Sequence, residues 1–271
     1  MIEIGQARLQ PRDPLFAFSR TSILEMFGVV RSARGAISFR LALARWEAAT
    51  SYVFNFQVVY DNLPLLLYGA GLTLLLAAET MVFGLTIGLV GAGLQLYGGR
   101  LARLIVKGWI EVFRNTPLLI QLFIVYFGLP QFGIRLGANE AALIGLSIYL
   151  GAFATEIIRA GIESVPASQI EAGRALGLKP FQIFRLIVLV PAIRAVLPAL
   201  GGQFVLIMLA TSVVSTISAE ELASIANGLQ TDTFRPFEVY LAASLIYLTM
   251  AVGLRLLLRL GARGYIGRWQ E

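Results

Sequence analysis

Residues 62–95 read NLPLLLYGAGLTLLLAAETMVFGLTIGLVGAGLQ, and this stretch decides the fold. Its one charged residue is Glu79. A helix needs roughly 20 mostly apolar residues to cross the hydrocarbon core of a membrane. The stretch is longer than that, so it predicts a membrane-spanning helix that tilts or begins outside the lipid.

The composition of the whole chain agrees with a membrane protein. Of 271 residues, 57% are hydrophobic and 14% are charged, whereas soluble domains have about 45–50% and about 25%. A soluble protein this apolar would expose large hydrophobic patches to water. A disordered chain is excluded as well, because disorder requires low hydrophobicity and high charge.

The chain contains no cysteine and no histidine. This excludes disulfides, thiolate metal sites and imidazole catalysis. We expect neither catalytic residues nor metal ligands in the chain, and an intramembrane enzyme is disfavoured because no predicted span contains Asp. An ion channel or a secondary transporter is an alternative. Neighbouring genes for an ATPase and a binding protein would argue against it.

Apolar stretches predict five spans, at about 62–95, 104–128, 141–159, 183–210 and 237–260. The loops after the first and third spans and the C-terminal end hold 11 Lys or Arg residues, and the alternate loops hold 2. Because basic residues stay on the cytoplasmic side, the C-terminus is predicted to be cytoplasmic and the N-terminus external. The net charge of +6 therefore indicates orientation in a membrane, and no nucleic-acid partner is expected.

The N-terminal tail, residues 1–61, conflicts with an external position because it carries seven Arg and five acids. Three interpretations compete: the tail escapes the charge rule, it forms interfacial amphipathic helices, or an extra segment near 23–45 returns the N-terminus to the cytoplasm. We favour the interfacial helix. Residues 62–271 are interpreted as a single membrane domain.

The loop between the third and fourth spans has the pattern of a helix, a glycine turn and a second helix. Ser164 and Pro166 form a helix-start signal with a capping hydroxyl, followed by a short helix at 168–176. Gly177 is placed to end that helix in a left-handed conformation, and Lys179-Pro180 begins the next helix. A small helix exposed at the cytoplasmic surface is suited to docking a soluble partner.

Four motifs in this chain resemble those of one transporter family. Glu171-Ala172-Gly173, followed by Gly177, Ile187 and Leu189, resembles the EAA loop of ABC-importer permeases, here at about 160–183. EVFRNTPLLIQLF at 111–123 and EIIRAGIESVP at 156–166 resemble two motifs of polar amino acid uptake permeases, and TSVVS at 211–215 resembles a third. Their order and spacing make the resemblance highly specific.

The resemblance implies an all-α integral membrane protein with the five core helices of a type I ABC-importer permease and a cytoplasmic coupling helix. It implies a multi-pass protein of the bacterial inner membrane that is not itself an enzyme. The expected partners are a second permease, identical or related, an extracytoplasmic binding protein for a polar or charged amino acid, and an ATPase dimer. The dimer would dock at Glu171, Ala172, Gly173 and Gly177. This chain lacks the G-x-x-x-x-G-K-[ST] loop, so ATP and Mg²⁺ are expected on the ATPase.

Three departures from the family pattern matter. Val190-Pro191 places the proline one residue later than the family's Leu-Pro. Gly173 replaces the second alanine of the motif, which costs about 1 kcal/mol of helix propensity. Leu209-Ala210 occupy the positions where the family often has Lys-Asp. Any function of those two charges in the family therefore cannot be assigned to this chain.

The candidate pathway residues are Glu79, Arg114, Thr116, Thr211 and Ser212. A carboxylate within a span is costly unless it meets a cavity or a partner. Glu79 is therefore interpreted either as a substrate contact, or as a structural group that is protonated or paired with Arg114 or Arg194.

Other patterns predict local contacts. Glu111 with Arg114 and Glu156 with Arg159 are expected to pair at i,i+3 spacing. Pro117 is either a hinge or a static kink. Gly84-x-x-x-Gly88 predicts close helix packing, with a dimer contact as one candidate.

The segment at 211–236 is expected outside the membrane. We predict a short helix there capped by Ser218. Glu220, Glu221, Asn227 and Gln230 are candidates for contact with the binding protein or for an external gate.

Overall fold

A computed structural model describes residues 52–267, with side chains up to residue 261. The chain divides into two compact units, 1–54 and 55–271, and the fold below is that of the second. Our interpretations of the Arg-rich tail up to residue 51 lie outside the described residues. Between residues 52 and 267 the chain forms helices and no strand.

The α-helices are α1 (Gln57–Asp61), α2 (Leu63–Tyr97), α3 (Arg100–Asn115), α4 (Leu118–Phe123), α5 (Ala138–Glu163), α6 (Ala167–Ala175), α7 (Pro180–Ile183), α8 (Leu189–Ala210), α9 (Leu222–Thr233) and α10 (Pro236–Gly267). A π-helical turn, Ile124–Gly128, and a 3₁₀ turn, Leu129–Phe132, extend α4. A second π-helical turn, Phe184–Val188, joins α7 to α8, and the 3₁₀ turn Thr211–Ile217 follows α8.

Four predicted spans are confirmed as helices long and apolar enough to cross a membrane. They are Leu63–Tyr97, Ala138–Glu163, Pro180–Ile217 and Pro236–Gly261. The predicted span at 104–128, which Pro117 interrupts, is found as two helices. Arg100–Asn115 and Leu118–Phe132 together are apolar enough for a span but meet at an angle of 112°, which is the geometry of a broken span or of a re-entrant loop.

The bend lies at Thr116 and Pro117, both of which have extended backbone conformations. Proline cannot continue the helical hydrogen bonding of the preceding turn. The buried Gln121 braces the bend, because its Nε2 donates to the Phe113 carbonyl at 2.9 Å and to the Thr116 hydroxyl at 2.7 Å. These bonds favour a static kink over a free hinge.

Helix α5 is the centre of the domain and packs along α2. The contact depends on small residues, since Gly84 and Gly88 of α2 are both buried. A Cβ atom added at Gly88 would lie 2.5 Å from the Cβ of Ala154, and one at Gly84 would lie 2.7 Å from the Leu150 side chain. The small face of α2 is therefore used within this chain, and the contact is not the dimer contact considered from the sequence.

We predict that Gly88→Ala lowers the melting temperature of the purified protein, because the methyl group forces α2 away from α5. Overpacking of this kind costs about 1–3 kcal/mol. Gly93→Ala is the matched control, since a Cβ there meets no atom within 4 Å. Equal melting temperatures for the two variants in thermal unfolding would contradict this packing.

Candidate coupling and pathway sites

The coupling helix α6 begins at Ala167, directly after Pro166. The predicted capping role of Ser164 is wrong, because its hydroxyl donates to the Gly161 carbonyl at 2.7 Å. That bond belongs to the end of α5. Pro166 has an extended conformation and lets α6 start without a side-chain cap.

Gly177 ends α6 as the sequence predicts. Its φ angle is +76°, in the left-handed region that favours glycine. The Leu178 N–H donates to the Gly173 carbonyl at 3.1 Å and the Gly177 N–H to the Arg174 carbonyl at 2.9 Å. These two bonds form a Schellman motif, which fixes the direction in which the chain leaves α6.

Gly173 has a packing role that the sequence did not reveal. It is buried, and an added Cβ would lie 2.5 Å from Ile187 Cδ1 and 3.3 Å from Ile183 Cγ1. The missing methyl group brings α6 close to the π-helical turn below α8. The glycine that lowers helix propensity at this position therefore also allows α6 to contact the π-helical turn Phe184–Val188 closely. This turn is the stem of α8.

Beneath α6 lies a small apolar core made by Val165, Ile183 and Val188. Partly buried side chains from the same loop surround it, namely Ile162, Ile170, Leu178, Phe184 and Ile187. This core joins the end of α5, α6 and the stem of α8. The loop is thus a packed unit rather than a solvated connection.

The outer face of α6 is exposed. Glu171, Ala172 and Gly177 all lie on the surface, and the Glu171 carboxylate forms no hydrogen bond or ion pair within residues 52–261. Leu176 and Phe181 are 80% and 72% exposed. Large apolar side chains exposed on a short helix are unfavourable in water unless another molecule covers them.

An open groove of about 550 Å³ continues this surface toward α8. It is lined by Gln169, Ala172, Gly173, Leu176, Leu186, Ile187, Val190 and Pro191. The sequence did not single out Leu176, Phe181 or Leu186. Large apolar residues within a predicted cytoplasmic loop were the signal that could have found them.

The two predicted i,i+3 ion pairs have different outcomes. Arg159 pairs with Glu156 as predicted and also with Glu163. Glu111 and Arg114 do not pair: the Glu111 carboxylate accepts from Asn115 Nδ2 at 3.1 Å. The Arg114 guanidinium instead lies over the Phe153 ring, 5.4 Å from its centroid.

Glu79 is exposed in the protomer and forms no hydrogen bond or ion pair with any described residue. It therefore pairs with neither Arg114 nor Arg194 in the protomer. A carboxylate that is exposed on an apolar helix requires a cavity, a partner subunit or a proton.

The hydroxyl-bearing pathway candidates serve local structure. Thr116 accepts from Gln121 at the bend. Thr211 is buried and donates to the Met208 carbonyl at 2.7 Å, and Ser212 donates to the Leu209 carbonyl at 2.8 Å. The cavity that contains Arg114 is not lined by the other four candidates, so the protomer alone does not assemble them into one site.

A buried polar cluster fastens α9 to two spans. Glu221 is fully buried, and its carboxylate accepts from the Ser224 N–H at 2.7 Å, from the Thr73 hydroxyl at 3.3 Å and from the Tyr247 hydroxyl. Glu221 therefore caps α9, and the prediction that Ser218 caps it is wrong. Ser218 has a φ angle of +62° at the end of the 3₁₀ turn.

Thr73 and Tyr247 were not predicted from the sequence, although each is a polar group within an apolar span. Glu220 and Asn227 are exposed beside the cluster and Gln230 is half-buried. Glu221 itself is inaccessible, so it cannot contact a binding protein directly in this arrangement.

The candidate spans define a multi-pass membrane protein, and α6 lies exposed between the third span and the span that contains α8. Residues 84–266 match the family described as "Binding-protein-dependent transport system inner membrane component". The chain belongs to this family and is a multi-pass protein of the bacterial inner membrane.

Permease proteins of two transport systems are similar to most of this chain. The nopaline transport system permease protein NocM of Agrobacterium fabrum is 36% identical over 72% of this chain and 85% of its own. The glutamine transport system permease protein GlnP of Escherichia coli is 32% identical over 76% of this chain and 95% of its own.

Solved structures agree with the fold. A chain from the crystal structure of an amino acid ABC transporter with histidines has a TM-score of 0.74 and 35% identity, over 78% of this chain and 99% of that chain. An inward-facing methionine ABC transporter has a TM-score of 0.60 at 23% identity, over 77% and 97% of the two chains. This second likeness concerns the fold alone.

We predict that Glu221→Gln destabilises the protein, because an NH₂ group then faces donors that the carboxylate accepted. A buried polar mismatch costs about 1–3 kcal/mol. Glu220→Gln is the control, since Glu220 is exposed. The measurement is thermal unfolding in detergent, and a Glu221→Gln variant as stable as the control would contradict the role of the cluster.

Proposed function

We propose that this chain is the membrane-spanning permease of an ATP-driven importer for a polar or charged amino acid. The observation that carries the proposal is the exposed helix α6, whose loop presents the unpaired carboxylate of Glu171 and the exposed side chains of Leu176 and Phe181. The names of the relatives support an amino acid or a related compound as the substrate.

In this proposal α6 transmits movement of an ATPase dimer to the spans. Its Schellman turn, the contact of Gly173 with Ile187 and the small core beneath it make α6 one unit with the π-helical turn of Phe184–Val188. That turn continues directly into α8. A displacement of α6 is therefore expected to move the fourth span, while ATP and Mg²⁺ are bound by the ATPase.

A second permease, identical or related, completes the pathway. Glu79 supports this step, because an exposed carboxylate in the middle of an apolar helix is costly against lipid. The proposal places Glu79 at the pathway between two permeases. On the outer side, Glu220 and Asn227 are exposed for contact with an amino-acid-binding protein.

We predict that Glu171→Lys reduces association with the ATPase, because a carboxylate that accepts charge-assisted hydrogen bonds becomes a cation. The measurement is co-purification of the ATPase with the tagged permease from membranes. Glu220→Lys makes the same change on the opposite side and should leave the amount of bound ATPase unchanged. Undiminished co-purification with Glu171→Lys would contradict docking at α6.

We also predict that Glu79→Gln lowers ATP-driven amino acid uptake several-fold while leaving the melting temperature of the isolated permease unchanged. The melting temperature is expected to stay unchanged because Glu79 bonds to no described residue of its own chain. Uptake is measured in proteoliposomes with the complete transporter. A lower melting temperature with normal uptake would show a structural role instead.

A further inference from the structure

Helix α3 carries a stripe of charged side chains along one face. Arg100, Arg103, Lys107, Glu111 and Arg114 follow one another at intervals of three or four residues, which places them on the same side of a helix. All five are exposed. An exposed charged stripe on a helix of a membrane domain indicates contact with water or with a polar ligand rather than with lipid tails.

The inner end of the stripe lines a polar cavity of about 260 Å³ between α2, α3 and α5. Its polar lining consists of Gln95, Lys107, Glu111, Arg114, Glu156 and Arg159. Gln95 and Arg159 lie within the last two turns of α2 and α5, whose ends precede the predicted cytoplasmic loops. The cavity therefore lies toward the cytoplasmic side.

The charges in the cavity are not all available to a ligand. Arg159 is held by Glu156 and Glu163. Lys107 and Arg114 form no ion pair with a carboxylate of residues 52–261, and the Glu111 carboxylate has only the Asn115 amide as a side-chain partner. Two cations and one anion are without an ion pair, and they are presented by consecutive turns of one helix. Of these, Arg114 lies over the Phe153 ring and also interacts electrostatically with Glu156.

We propose that this cavity binds an α-amino acid at the inner end of the permease. Arg114 takes the α-carboxylate and Glu111, one turn away, takes the α-amino group. Planar guanidinium groups are suited to bidentate binding of carboxylates. The inference rests on the proposed function, because it assigns a second position to the transported class of substrate.

Lys107, the other cation without an ion pair, determines which amino acid side chain the cavity accepts. Lys107 lies one turn beyond Glu111 and faces the side chain of the ligand, together with Gln95. A zwitterion neutralises Arg114 and Glu111 and leaves the charge of Lys107. The cavity therefore selects a side chain that ends in an acceptor, such as that of glutamine or glutamate, and repels a cationic one such as that of arginine.

The test measures equilibrium binding of ¹⁴C-labelled L-glutamine, L-glutamate and L-arginine to the nucleotide-free permease–ATPase complex in phosphatidylcholine nanodiscs, without the binding protein. We expect L-glutamine or L-glutamate to bind more tightly than L-arginine. Arg114→Gln and Lys107→Gln should each weaken that binding about tenfold or more, as the loss of a charge-assisted hydrogen bond implies. Arg100→Gln, on the same stripe but outside the cavity, should bind like the wild type.

A second arm tests recognition of the α-carboxylate. 4-Aminobutanamide, the decarboxylated analogue of glutamine, should fail to compete with the labelled L-glutamine. Equal competition by this analogue or by sulfate, unchanged binding by Arg114→Gln, or tighter binding of L-arginine would each overturn the inference.

Uptake separates the inference from the proposed function. ATP-driven amino acid uptake by the complete wild-type transporter, together with no amino acid binding at this cavity, would overturn the inference alone. Absence of ATP-driven uptake of any amino acid would overturn the proposed function.

Discussion

Close helix contact through glycine is the interaction on which the rest of the structure depends. In a bilayer, helices gain little from the hydrophobic effect between one another, so their association depends on van der Waals packing. Gly84 and Gly88 bring α2 against α5, and α5 in turn supports α3, α4 and α8. The same device recurs outside the spans, where Gly173 brings α6 against Ile187.

This second contact links the fold to the proposed mechanism. A coupling helix that is held against the start of a span at Gly173 and Ile187 can move that span without first deforming the loop. The Schellman turn and the apolar core beneath α6 satisfy the same requirement. At the other side of the domain, hydrogen bonds from Thr73 and Tyr247 to Glu221 hold α9 against α2 and α10. Thus α6 on one side and α9 on the other are each held against spans.

The sequence predicted the long apolar spans and the left-handed Gly177, because length, hydropathy and turn chemistry are local properties. It did not predict the 112° bend, since Pro117 alone is compatible with a mild kink and Gln121 comes from the following helix. It misassigned the cap of α9 to Ser218, because the buried partners of Glu221 are 148 and 26 residues away. Glu171, Arg114 and Glu79 are all exposed, and Glu79 forms no bond with a described residue.

The claim that α6 and the stem of α8 move as one body is tested most directly by locking them together. The chain contains no cysteine, so Gly173→Cys combined with Ile187→Cys introduces the only two thiols of the permease. The measurement is ATP-driven uptake by the reconstituted transporter before and after oxidation to the disulfide. If the two segments move as one body, uptake persists in the cross-linked protein. Loss of uptake on oxidation that is restored by reduction would show that the two segments separate during transport, and would contradict that claim.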